Sequence, residues 1–177
     1  KYLNNLAINL RHNKRLKEAH VAIKKCLKIS PKYGVAYSTL GNILKDLGDL
    51  SGAMYNHKVA LKMNPSSAKI HNNIGNVYLR LGDPLAAEKY FKQAFDLDNS
   101  LVVSLYNMSF AYFYMDRYLE ALVYYEWRML QTPPVTRAPS PNKRWQAKLP
   151  IRNKTFLVYS EQGIGDTFQH VRYLADL

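Results

Sequence analysis

Tyr37-Ser38-Thr39-Leu40-Gly41 returns 34 residues later as His71-Asn72-Asn73-Ile74-Gly75. The same interval separates Ala19, Ala53, Ala87 and Ala121. Thirteen residues before each alanine stands a large apolar residue: Leu6, Leu40, Ile74 or Met108. A small residue follows each of these: Ala7, Gly41, Gly75 or Ser109. Leu10, Leu44, Tyr78 and Tyr112 keep the same register, as do Cys26, Ala60 and Ala94, with Arg128 in the fourth place. Pro31, Pro65, Asn99 and Pro133 close each unit. A fixed period of this length marks stacked two-helix units rather than one irregular globule.

Each choice has a mechanical reason. Small residues on facing helices allow close backbone approach, and the large ones fill the seam beside them. Proline after the second helix removes a donor and ends it. Gly48 and Gly82 fall where the first helix must stop in a left-handed residue. Gly82-Asp83-Pro84 reads as a stop, an N-cap and a proline at the first helical position. The outer units depart from the pattern, with Lys14 and Asp116 where the turn glycine is expected.

These residues resemble the tetratricopeptide repeat family. The resemblance implies an all-α fold, a right-handed superhelix of four helix-turn-helix repeats at about 1–33, 34–67, 68–101 and 102–132. A Pro-rich basic linker, 133–153, and a truncated Rossmann-like strand–helix unit, 154–177, are expected to follow. In this family the first helices line a concave surface. The resemblance therefore places Asn5, Thr39, Asn73 and Asn107 in a groove, with Asn42 and Asn76 near the same face. An asparagine amide both donates and accepts, so a row of them suits an extended peptide backbone of any sequence. The alternative is solvent-facing polar positions, or local packing of the helix start. Asn4, Ser38 and Asn72 occupy the place where carboxylate-clamp members of the family carry lysine, which argues against a clamp. The asparagine row is similar to that of O-linked N-acetylglucosamine transferases.

Five of the eight prolines lie between Pro133 and Pro150, in a stretch that cannot continue the helices. Trp127 and Trp145 are candidates to pin it to the last repeat. Thr155-Phe156-Leu157-Val158-Tyr159-Ser160 then reads as a buried strand. Gly163-Ile164-Gly165-Asp166 forms a glycine turn, and Phe168, Val171 and Leu174 recur at helical spacing. Backbone amides at such a turn favour an anion or a polar substrate group, making Gly163 and Gly165 a candidate substrate loop. The turn is neither a dinucleotide fingerprint nor a P-loop. The string Leu157 to Leu174 resembles bacterial proteins in which tetratricopeptide repeats join a heptosyltransferase-like glycosyltransferase domain. That resemblance implies that Asp166 is the general base of sugar transfer, whereas by itself the residue reads equally as a helix N-cap. Two large domains are needed for such chemistry. A fragment ending at Leu177 is expected to be inactive alone, with a nucleotide sugar bound only by the full-length parent.

Composition narrows the partners. One cysteine, Cys26, excludes an internal disulfide and fits a reducing, cytoplasmic compartment, and its register predicts burial. No apolar run approaches the roughly 20 residues of a bilayer span. The chain opens on Lys1, so a targeting signal is not legible. The five histidines form no metal-spaced cluster, and no metal or cofactor is expected. Net charge is +12, with nine Lys/Arg against Glu18 in residues 1–34. Solvated helix faces explain that excess as well as nucleic acid does. The leading reading is a peptide-binding module, the acceptor-binding part of a glycosyltransferase. A non-enzymatic assembly scaffold is the alternative, and a basic array binding nucleic acid ranks third.

Overall fold

The computed structural model describes residues 1–130. The expected linker 133–153 and strand–helix unit 154–177, with Trp145, Gly163, Gly165 and Asp166, lie outside the described residues. One compact unit spans Lys1–Trp127, and of a second, Arg128–Leu177, only residues 128–130 are described.

Among the described residues, eight α-helices form four pairs: α1 (Tyr2–His12) with α2 (Leu16–Ile29), α3 (Gly34–Leu47) with α4 (Leu50–Met63), α5 (Ala68–Arg80) with α6 (Pro84–Leu97), and α7 (Val103–Tyr114) with α8 (Tyr118–Tyr125). A short 3-10 helix, Glu126–Leu130, follows, and no strand occurs among the described residues. The architecture is an all-α helical repeat.

The turn inside each pair is reached through a left-handed residue. Gly48 and Gly82 have φ of 91° and 78°, and Lys14 and Asp116 take the same conformation at 60° and 57° without being glycine. A side chain in this region costs about 1 kcal/mol or more. Asp83 caps α6 by accepting from the Ala86 amide at 3.0 Å, with Pro84 at the first helical position, as the sequence predicts. Asp49 does the same for α4 through the Gly52 amide at 2.8 Å.

The seams bury the periodic residues. Ala19, Ala53, Ala87 and Ala121 are all fully buried, as are Ala7 and Ser109, and Cys26 is a buried free thiol. At Gly41 and Gly75 the fit is tighter. A Cβ there would lie 2.7 Å from the His57 ring and 2.5 Å from the Phe91 ring, so only glycine admits the ring of the second helix. Leu40, Ile74 and Met108 are buried as expected, whereas Leu6 is exposed. Helices α3, α5 and α7 each also pack on the second helix of the preceding pair, a contact that α1 does not make among the described residues.

Helices adjacent in sequence pack together throughout, and α1 also meets α3, α3 meets α5, and α5 meets α7. No two of the second helices, α2, α4, α6 and α8, meet in this way among the described residues. The stack is thus narrower along its first helices, which gives Lys1–Trp127 an inner face lined by α1, α3, α5 and α7.

Candidate peptide groove on the first helices

Neighbouring first helices touch through polar pairs. The Asn73 amide donates to Ser38 Oγ at 3.2 Å, and the Asn107 amide donates to Asn72 Oδ1 at 2.9 Å. Arg11 Nε donates to Asp46 Oδ2 at 2.6 Å. All three pairs are separated by 35 residues, one more than the repeat. Asn73 and Asn107 therefore bind the preceding first helix. Their amides are partly engaged inside the stack.

The other predicted groove residues differ among themselves. Asn5 is exposed. Thr39 is buried, and its hydroxyl donates to the Val35 carbonyl at 3.1 Å one turn back on its own helix. Its partner position, Asn4, is buried with Oδ1 accepting no hydrogen bond among the described residues. Asn42 and Asn76 are half-buried and make no side-chain hydrogen bond within the described residues. These two amides sit at equivalent positions on neighbouring first helices.

One turn further along the same face lies a charged cluster that the repeat register did not single out. Asp46 accepts from Arg11 and lies 3.8 Å from Lys45 Nζ. The side chains of Arg11, Lys45 and Asp46 keep 25%, 18% and 28% of their exposure, so solvent screens them only partly. Burial pushes the Lys45 ammonium down from its ordinary pKa, Asp46 opposes this, and the nearby Arg11 and Arg80 charges push it further down. Arg80 is exposed and has no carboxylate partner among the described residues.

Toward the fourth repeat the inner face becomes aromatic. Phe110 stands in the register of Asn42 and Asn76 and meets Tyr106 edge-on at 5.0 Å between centroids. Behind it, Tyr112 donates to Glu88 Oε1 at 2.9 Å, and the Arg117 guanidinium lies 4.4 Å over the Tyr112 ring. Burial first, and then the Glu88 hydrogen bond, push the Tyr112 phenol well above its ordinary pKa.

The basic excess of residues 1–34 is largely solvated. Of its nine cations all but Arg11 are exposed, and Arg15 pairs with Glu18 at 2.6 Å. No group of three or more His, Cys, Asp or Glu that could hold a metal ion occurs among the described residues. No helix of the described residues is long and apolar enough to cross a membrane.

Family signatures agree with this geometry. Two described as tetratricopeptide repeat match residues 68–100 and 1–30, and one described as TPR repeat matches 41–82. The chain carries tetratricopeptide repeats. No curated protein matches the sequence. Among solved structures, a thermophilic TPR protein of Thermus thermophilus is 27% identical, with a TM-score of 0.66, over 74% of this chain and 73% of that one. MamA of Desulfovibrio magneticus is 18% identical, with a TM-score of 0.61, over 70% of each chain. A mutant O-GlcNAc transferase of Thermobaculum terrenum is 22% identical with a TM-score of 0.66. It is matched over 79% of this chain but only 28% of its own. At such identity the last two likenesses show the fold alone. A tetratricopeptide-repeat module of this kind fits a protein-binding scaffold, and its repeats imply protein partners.

Proposed function

We propose that the inner face of Lys1–Trp127 captures an extended segment of a partner protein. The observation that carries this reading is the pair of open, half-buried amides, Asn42 and Asn76, on adjacent first helices. Each can donate to a peptide carbonyl and accept from a peptide N–H, which holds a backbone with little demand on its side chains. Asn73 and Asn107 keep the helices in register while presenting their remaining polar atoms to the same groove, with Asn5 at its first-repeat end and Thr39 buried beneath the second. Selection of binders from a random displayed-peptide library, followed by titration calorimetry, tests this. Asn42→Ala with Asn76→Ala should weaken a selected peptide about tenfold, since each lost hydrogen bond contributes roughly 0.5–1.5 kcal/mol. Unchanged affinity overturns the groove.

In a longer parent protein the captured segment would be an acceptor presented to a glycosyltransferase domain, at raised local concentration. The likeness of the Leu157–Leu174 string to such proteins supports this, as does the shared fold with the repeats of an O-GlcNAc transferase. There Asp166 would act as general base, Gly163 and Gly165 would contact the substrate, and the nucleotide sugar would enter. Further strand–helix units encoded after Leu177 would support the transferase half. A stop codon there would leave the scaffold alone.

A further inference from the structure

Resting on the groove reading, we propose that Arg11, Lys45 and Arg80 form a subsite for a carboxylate side chain on the captured segment, so that the groove selects acidic peptides. Arg11 and Lys45 share one carboxylate, Asp46, and the Arg80 charge also acts on Lys45, leaving two positive charges in excess. The charges that act on Lys45 are Asp46, Arg11 and Arg80, and no second acid acts on it among the described residues. Stacking alone would favour alternating signs between neighbouring helices. Here Arg11 and Lys45 are register equivalents, and Lys45 and Arg80 stand at the 35-residue separation of the polar pairs. Arg11 and Lys45 are half-shielded from solvent, where attraction for an anion is correspondingly stronger than on open surface.

Position ties the cluster to the open amides. Lys45 and Asp46 follow Asn42 by three and four residues on α3, and Arg80 follows Asn76 by four on α5. Side chains so spaced share one helix face about 5 Å apart along the axis. A backbone held by the two amides therefore brings a neighbouring side chain within reach of the cations. Arg80, exposed and without a carboxylate partner among the described residues, is free to swing onto it.

The test uses the full chain and two fluorescein-labelled selected peptides, one with a Gln-Asn-Gln centre and one with Glu-Asp-Glu in its place, read by polarisation. The acidic peptide should bind about tenfold tighter. Lys45→Gln with Arg80→Gln should close that gap without changing the affinity for the neutral peptide. Asp46→Asn, which frees Arg11 and Lys45, should widen it, an effect that loss of fold cannot mimic. Circular dichroism confirms that each variant is folded. Asn42→Ala with Asn76→Ala reports separately on the groove and should weaken both peptides alike. Equal affinity for the two peptides, or a gap that survives in the double glutamine variant, overturns the subsite and leaves the groove standing. Binding of a single-stranded DNA oligonucleotide lost in that variant, with no contrast between the peptides, would assign the cluster to phosphate and overturn it too. Failure of both peptides to bind overturns both readings.

Discussion

Replacing His57 by phenylalanine should stabilise the protein and flatten its response to acid. His57 takes the place in α4 that Phe91 takes in α6, 34 residues on. Both rings are fully buried against the glycine of the facing helix. Phe91 brings no polar atom into that space, whereas neither ring nitrogen of His57 has a hydrogen-bond partner among the described residues. A buried polar group left unsatisfied costs about 1–3 kcal/mol. His57→Phe removes two such groups and adds a little volume, so a net gain of about 1–2 kcal/mol at neutral pH is expected. The pH dependence is sharper. Burial, then the nearby Lys45 and Arg11 charges, lowers the imidazole from 6.5 to about 4. Between those values the unfolded chain binds a proton that the folded one refuses. Stability is therefore full above the unfolded pKa and is lost as pH falls toward the folded one. From pH 7 to pH 5 this group alone removes about 2 kcal/mol. Urea denaturation of both proteins at the two pH values, followed by circular dichroism, reads the difference, because all other titrating groups cancel between them. A wild type and variant that lose stability in parallel would refute the reasoning.

Lys14→Gly relieves a left-handed lysine at φ 60° and should raise stability by about 1 kcal/mol, read as a higher urea midpoint at constant slope. Gly75→Ala drives a methyl to 2.5 Å from the wholly buried Phe91 ring and should lower stability by about 1–3 kcal/mol in the same assay. Thr39→Asn offers the orphaned Asn4 Oδ1 the amide that Asn73 and Asn107 supply to their neighbours, and a gain of about 1 kcal/mol that vanishes in an Asn4→Ala background would confirm the pair. Tyr112→Phe leaves Glu88 without its phenol donor and should cost about 1 kcal/mol in thermal unfolding.

The period of 34 residues made the paired helices legible, and Gly82-Asp83-Pro84 reported a turn, a cap and a helix start that the structure reproduces. Lys14 and Asp116 show why register outweighs residue type: the stacking of the pairs holds both in a conformation their side chains resist. The seam dictates the turn, and local preference yields to it. Leu6 is the converse case. Its type fits the template, but its burial depends on a neighbour that the described residues do not supply on that side of α1. Asp166 and the Gly163 turn remain proposals from resemblance, since they lie outside the described residues.

The inner face was only half legible because a repeat register aligns equivalent residues, not touching ones. Equivalents are 34 apart, while the first-helix pairs that meet are 35 apart: Arg11 with Asp46, Ser38 with Asn73, Asn72 with Asn107. Contacts between adjacent first helices thus run one residue beyond the repeat register. Applied to the rest of the face, that offset sorts the asparagines. Asn73 and Asn107 meet polar partners one helix back and are engaged there. Asn42 and Asn76 face the positions of Val77 and Ala111 ahead, and Ala7 and Gly41 behind, none of which has a polar side chain. Their amides find no partner in the stack for that reason, and under the proposed reading a peptide backbone would meet both donor and acceptor at each. The same offset sets Lys45 against Arg80, where no internal pairing is possible. Open amides and uncompensated cations therefore share one origin, positions at which the stack offers no complement and an acidic segment would.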